Sequence, residues 1–278
     1  MEVFMKISFT TLGCPNWDLD TICKRGRAYG FDGVDFRGLL ETLDVTLLPA
    51  FGTHLADTHR KLDNAGLEVS GFGSSITLCN PDRRKENLEE ARRTIAAAKG
   101  IGCQNVRVFG GGDIEHHTRP ELILMAVDSM QSILALDGAR DLHWLFETHD
   151  NWIHSADSLP LLERIPDPAF GVLWDIGHTP RVGGEALATT YAALGKRIAY
   201  THIKDAAFDP QHPKAMEDGW RYMLPGAGQL PLAEAIQLLK ANGYDGWVVL
   251  EHEKRWHPNL YEPEEIFPAF VRWVRPLI

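Results

Sequence analysis

The sequence is short of cysteine, of long apolar runs and of positive charge, and each shortage removes a class of function. Its four cysteines, Cys14, Cys23, Cys79 and Cys103, make no CxxC pair and have no histidine partner at zinc-finger spacing. They read as isolated thiols of a reducing compartment rather than a disulfide frame or a structural zinc site. No stretch approaches the roughly 18 apolar residues of a membrane span, and the N-terminal MEVFMKISFTTLG has no long apolar core of a secretory signal. The expectation is a cytoplasmic protein without membrane association. The net charge of −10 argues against nucleic acid or an anionic membrane as the main partner. It leaves room for a small anionic substrate in a locally positive pocket. No GxGxxG follows the first apolar run, which speaks against an open dinucleotide-binding sheet. Low-complexity tracts, linkers and tight repeats are absent too.

What is there is an ordinary globular composition, 44% hydrophobic and 24% charged over 278 residues, enough for a sizeable core. The most informative stretch is Phe170–Thr179, FGVLWDIGHT. Five apolar or glycine residues read as a strand buried on both faces. Asp175 then needs a partner, because an unpaired carboxylate is costly to bury. Seven further runs read as strands: Lys6–Leu12, Gly33–Arg37, Glu68–Phe72, Asn105–Phe109, His143–Thr148, Ile198–Ile203 and Trp247–Glu251. Helical patterns follow at Asp18–Tyr29, Phe51–Ala65, Asp82–Lys99, Pro120–Leu136, Ser155–Arg164, Gly184–Leu194, Leu232–Asn242 and Pro263–Val274. Capping Asp, first-turn Pro and C-terminal Gly at positions 30, 66, 100 and 243 mark their ends. Eight strand–helix units of about 35 residues each predict an α/β fold, a single (β/α)8 barrel occupying residues 1–278 as one domain. One loop is long: Asp205 to Pro231, after the seventh strand, where a lid would lie.

A barrel builds its active site at the C-terminal ends of its strands. Strand five ends in Glu147, strand six in Asp175, strand seven in His202 and strand eight in Glu251. Three carboxylates and an imidazole would repel or bury charge unless a divalent cation sat among them. This oxygen-rich set suits a six-coordinate ion with two positions open: manganese first, then magnesium, cobalt or zinc. Arg107, after Val106 of strand four, points to a substrate hydroxyl, carboxylate or phosphate, or pairs with a rim carboxylate. Lys204 shares a side with His202 by strand alternation and either holds an anionic group or neutralises Asp205. His149 shares a side with Glu147, as substrate contact or as support behind it. Trp17, Trp152 and Trp256 lie near strand-end loops, where they either stack on a sugar or pack. His116 and His117 read as surface. His252 and Glu253 extend the reach of the site, but strand alternation turns His252 away from the side of Glu251.

Together Glu147, the WDIGH of Trp174–His178, the HIKD of His202–Asp205 and the LEHE of Leu250–Glu253 resemble the xylose isomerase-like TIM barrels. These are the sugar phosphate isomerases and epimerases, with ketose 3-epimerases, hydroxypyruvate isomerase and inosose dehydratase among their relatives. VRVFGGG at Val106–Gly112 and PGAGQL at Pro225–Leu230 fit the same resemblance, which covers essentially the whole chain. It implies that Glu147, Asp175, His202 and Glu251 bind the metal, that Glu147 and Glu251 are acid and base, and that His178 contacts substrate. It further implies an isomerase or epimerase acting on a small sugar, keto-sugar or polyol by enediolate proton transfer. Dehydration on the same scaffold is the alternative. A nuclease of the endonuclease IV type would need more histidines, and strands two and three end in Asp35-Phe36-Arg37 and Gly71-Phe72-Gly73 without one. Substrate identity, native metal and assembly, a homo-oligomer included, stay open at this point.

Overall fold

The computed structural model describes residues 4–278, and in it eight parallel strands close into a barrel. The barrel strands are β1 (Lys6–Thr10), β2 (Gly33–Phe36), β3 (Glu68–Thr77), β4 (Asn105–Phe109), β5 (His143–Glu147), β6 (Phe170–Asp175) and β7 (Ile198–Ile203). Two hairpin strands, β8 (Asp205–Phe208) and β9 (Trp220–Met223), come next in the chain, and β10 (Trp247–Leu250) completes the barrel between β7 and β1. Helices α1 (Leu19–Tyr29), α2 (Leu55–Ala65), α3 (Arg84–Ile101), α4 (Arg119–Leu134), α5 (Ser155–Arg164), α6 (His178–Arg181), α7 (Leu187–Leu194), α8 (Leu232–Ala241) and α9 (Pro263–Val274) alternate with the strands.

Strand alternation sorts the side chains into two cores. Ile7, Phe9, Val34, Phe36, Val106, Val108, Phe146, Val172 and Trp174 face outward into one large apolar layer shared with the helices. Leu145, Leu173, Tyr200 and Val249 form a small separate cluster inside the barrel. Toward the barrel's C-terminal mouth the inward positions turn polar, and that change of chemistry along one face positions the site.

Most predicted boundaries agree with the structure to within a few residues. Four differ for physical reasons. The loop from Asp205 to Pro231 is not without structure: β8 and β9 pair antiparallel in it, with Phe208 and Trp220 edge to face at 5.6 Å. β3 continues past Phe72 to Thr77, because β4 supplies ladder partners to Gly73 and Thr77 in a stretch of poor strand propensity. α2 begins at Leu55, four residues late, after 3-10 turns at Val45–Leu47 and Pro49–Phe51. α3 runs through Gly100, which packs against Leu55; Gly102, at φ +76°, is the residue that stops it. All four cysteines are buried and unpaired.

Candidate metal centre

Three predicted ligands come together at the mouth. Ligand atoms of Glu147, His202 and Glu251 lie within 4.8 Å of one another, and all three residues are buried. Their positions follow from the strands. Glu147 is the last residue of β5, His202 is the inward residue near the end of β7, and Glu251 follows β10, its N–H bonded to the Ile203 carbonyl at 2.9 Å. His202 Nδ1 stands 2.9 Å from Glu147 Oε1 and 3.2 Å from Glu251 Oε1.

Asp175 pairs in register with His202, so the same ring of residues holds it. Its carboxylate, however, is engaged elsewhere. Oδ1 accepts the N–H groups of Gly177 and His178 at 2.8 and 2.9 Å. Oδ2 meets His178 Nδ1 in a short contact and Lys204 Nζ at 2.9 Å. Asp175 therefore stands beside the three-donor group, linked to it by Lys204, which also contacts Glu251 closely and Glu253 at 3.4 Å.

The electrostatics follow from burial and pairing. Burial pushes a carboxyl pKa up. Glu147, Asp175 and Glu251 nevertheless sit below their ordinary range, because Arg107 and His202 face the first, His178 and Lys204 the second, His202 and Lys204 the third. Burial pushes His202 and Lys204 down, and the surrounding carboxylates outweigh it and hold both well above their ordinary values. His202 Nδ1 is shared between the two carboxylates, and Glu147, His202 and Glu251 are the residues that would hold a divalent cation at this point. Two carboxylates and an imidazole fit such an ion, with positions left open. Binding such an ion would require a neutral His202 and so would displace its extra proton.

The remaining predicted residues divide. Arg107 Nη1 reaches Glu147 Oε2 at 3.2 Å, the rim pairing that the sequence allowed. Lys204 does not neutralise Asp205, which instead accepts backbone N–H groups of Ala206, Gly226 and Gly228. His178 stacks edge to face with His149 at 4.4 Å, and His149 Nδ1 meets Asp150 at 2.7 Å on the rim. Trp17 and Trp152 are buried packing residues, while Trp256 is about half exposed. His116 and His117 are exposed, and His252 is turned to the Tyr261 carbonyl at 2.8 Å.

Behind Lys204 runs a chain of contacts of which the sequence named Glu253 as a possible extension of the site but not Tyr222. Tyr222, on β9, bonds Glu253 in a short contact, and Glu253 reaches Lys204. Alternation from Glu251 was a signal for Glu253; none marked Tyr222, which is brought in by the hairpin. Tyr222 also lines a groove of about 640 Å³ with Trp256 and His257. Arg37, after β2, is the other residue missed. Its inward direction was readable from Asp35 by the same alternation.

A family model described as xylose isomerase-like TIM barrel matches residues 23–277. Fructoselysine 3-epimerase of Shigella flexneri is 24% identical over 260 residues, 89% of this chain and 90% of that protein. Inosose dehydratase of Bacillus velezensis is 27% identical over 111 residues, only 37% of either chain. Among solved structures, the IOLI protein with a binding zinc atom superposes with a TM-score of 0.79 at 17% identity, covering 98% of both chains.

Proposed function

Since the chain belongs to the xylose isomerase-like TIM barrel family, we propose that it is a divalent-cation-dependent isomerase or epimerase of a small sugar, keto-sugar or polyol derivative. The observation that carries this reading is the convergence of Glu147, His202 and Glu251 on one point of the mouth. Asp175 completes the ligand set once its Oδ2 is released by both Lys204 and His178. A cation bound there supplies polarisation of a substrate carbonyl and its neighbouring hydroxyl, manganese being the first choice by donor type.

The chain's own groups then do the proton work. One of Glu147 and Glu251 takes the proton from the carbon beside the carbonyl, and the other returns it. Transfer between opposite faces of one carbon gives epimerisation; transfer between neighbouring carbons gives isomerisation. Arg107 keeps Glu147 oriented and ionised. Lys204 does the same for Glu251 and Asp175. His149 and His178, paired on the rim, are placed to touch substrate hydroxyls.

Dehydration is the second reading, favoured by the Tyr222–Glu253–Lys204 chain, which brings protons to the site for a departing hydroxyl. Turnover in D₂O with manganese present tests both. Deuterium on the epimerised or isomerised carbon supports the two-glutamate mechanism; an unsaturated product with loss of water supports the second reading. An unlabelled isomerised product removes the two-glutamate proton transfer and leaves isomerisation by direct hydride shift; no turnover of any sugar, keto-sugar or polyol overturns both readings. The reading places a small-molecule substrate at the site, and a cytoplasmic location and a homo-oligomer accompany it as expectations. Among the described residues no helix is long and apolar enough to cross a membrane.

A further inference from the structure

Opposite the candidate metal centre one buried charge has carboxylates near it but none in direct contact: Glu90, Glu147 and Asp35 act on Arg37 from a distance. Arg37 is 9% exposed. Its Nη1 donates to Ser75 Oγ at 2.9 Å and to the Gly73 carbonyl at 3.3 Å, both neutral acceptors. It forms no ion pair with a carboxylate among the described residues. Glu90 lies one bond removed, accepting the Ser75 N–H at 2.6 Å. Burial, and next the nearby Arg107, draw the Arg37 guanidinium down to about 9, although arginine ordinarily stays charged throughout the accessible range.

The sheet register explains how two guanidiniums come to share this place. Phe36 pairs with Phe72, and Gly73 pairs with Arg107. Arg37, the next residue after Phe36, therefore stands beside Gly73, and Arg37, Gly73 and Arg107 form one row across three strands. The middle member has no side chain. A Cβ there would lie 2.8 Å from Arg37 Cδ and 2.9 Å from its Cβ, so the row has space for two arginines only because Gly73 leaves it. Arg107 lies with its guanidinium 3.9 Å from the centre of the Phe109 ring. Its Nη1 and Nη2 bond Glu147 and the Ser74 carbonyl, while its buried Nε has no partner among the described residues. Two buried guanidiniums in one row, one of them bonded only to neutral groups, are costly to bury, and the carboxylates near Arg37 do not offset burial and the neighbouring Arg107.

We propose that Arg37 and Arg107 form an anion cradle, and that the substrate is an acidic sugar derivative whose carboxylate or phosphate is held there while its carbonyl end faces Glu147 and Glu251. The proposal rests on the enzymatic reading above for where the rest of the substrate lies. Guanidinium–anion bonds are the geometry that planar carboxylates and phosphates accept best.

The test is calorimetric titration of the manganese-loaded protein with glucose 6-phosphate, glucuronate and glucose at equal ionic strength. At least one acidic probe should bind about tenfold tighter than glucose, the size of one charge-assisted hydrogen bond. Preference for glucose 6-phosphate identifies a phosphate, preference for glucuronate a carboxylate. Arg37→Gln should abolish the preference, while Arg37→Lys should retain part of it. Equal binding of the three probes, binding of none, or a preference surviving in Arg37→Gln would each overturn the cradle. The wild-type titrations decide even where Arg37→Gln fails to fold. Manganese uptake in the same samples separates this inference from the enzymatic reading. Metal bound without probe preference removes the cradle alone; probe preference without metal uptake removes the metal-dependent mechanism alone.

Discussion

The two halves of the barrel mouth are built from the same strand geometry and carry opposite chemistry. β5, β6, β7 and β10 bring Glu147, Asp175, His202, Lys204 and Glu251, a dense carboxylate group that holds its own cations. β2, β3 and β4 bring Arg37, Gly73 and Arg107, two guanidiniums separated by an empty position. Buried carboxylates respond accordingly. Burial raises all of them. In the acidic half the facing cations win and the pKa values fall. Asp35, deeper under the other half with Tyr200 donating to it at 2.7 Å, remains raised because burial is its largest influence. Shifts of opposite sign on one residue type show that neighbours, not burial alone, decide protonation here.

The contrast breaks most sharply where the acidic half does chemistry. Glu251→Gln keeps an oxygen able to ligate and removes the proposed base, so on the proposed mechanism turnover should fall by at least about a hundredfold with cation uptake retained in part. Asp175→Asn should instead weaken cation uptake, and excess cation should restore much of its activity. Steady-state kinetics with metal analysis checks both. Equal losses in the two variants, neither rescued, would remove the division of labour between proton transfer and metal binding.

Lys204 holds the acidic half together when no cation is bound. Lys204→Met removes the ammonium shared by Asp175 and Glu251 and leaves each with its histidine partner alone. The cation-free protein should lose about 3–5 kcal/mol, the usual cost of breaking a buried pair. Added manganese should then raise the melting temperature more in this variant than in the wild type. A variant as stable as wild type without metal would show that Lys204 is not the internal counter-ion.

The smallest expected effect sharpens the comparison through pH. The lowered carboxylates contribute stability above their unfolded pKa values, roughly 4, and lose it as pH falls below that. Asp35 has the opposite sign. Its folded pKa is raised, so the native state binds the extra proton and stability declines as pH climbs from about 4 through the raised value. Asp35→Asn should therefore gain stability over wild type at neutral pH, and the gain should vanish near pH 4. Denaturant melts at the two pH values measure it, and a pH-independent difference would refute the assignment.

Much of the acidic half was legible in advance. Each of its residues ends a continuous apolar run, and a strand buried on both faces can be recognised without knowing its neighbours. Alternation then gave the inward side, so Glu147, His202 and Glu251 could be named together. Asp175 was named as well, but nothing in one strand shows that a lysine two residues beyond the next strand's histidine will occupy its carboxylate. The hairpin at Asp205–Phe208 and Trp220–Met223 was missed because its strands are short and separated by a long Pro- and Gly-containing segment.

By itself the sequence determined the period of eight strands and helices, the two-sided burial of those strands, and which end carries carboxylates. These are properties of single segments, set by side-chain hydrophobicity and backbone preference. Only the tertiary structure decided that Lys204 bridges Asp175 to Glu251, that Tyr222 reaches Glu253, and that Gly73 leaves Arg37 and Arg107 in one row. Those facts depend on register between strands and on how a hairpin folds back over the mouth. Register is fixed by the closing of the whole barrel, where a shift of one residue would turn every side chain of a strand to its other face.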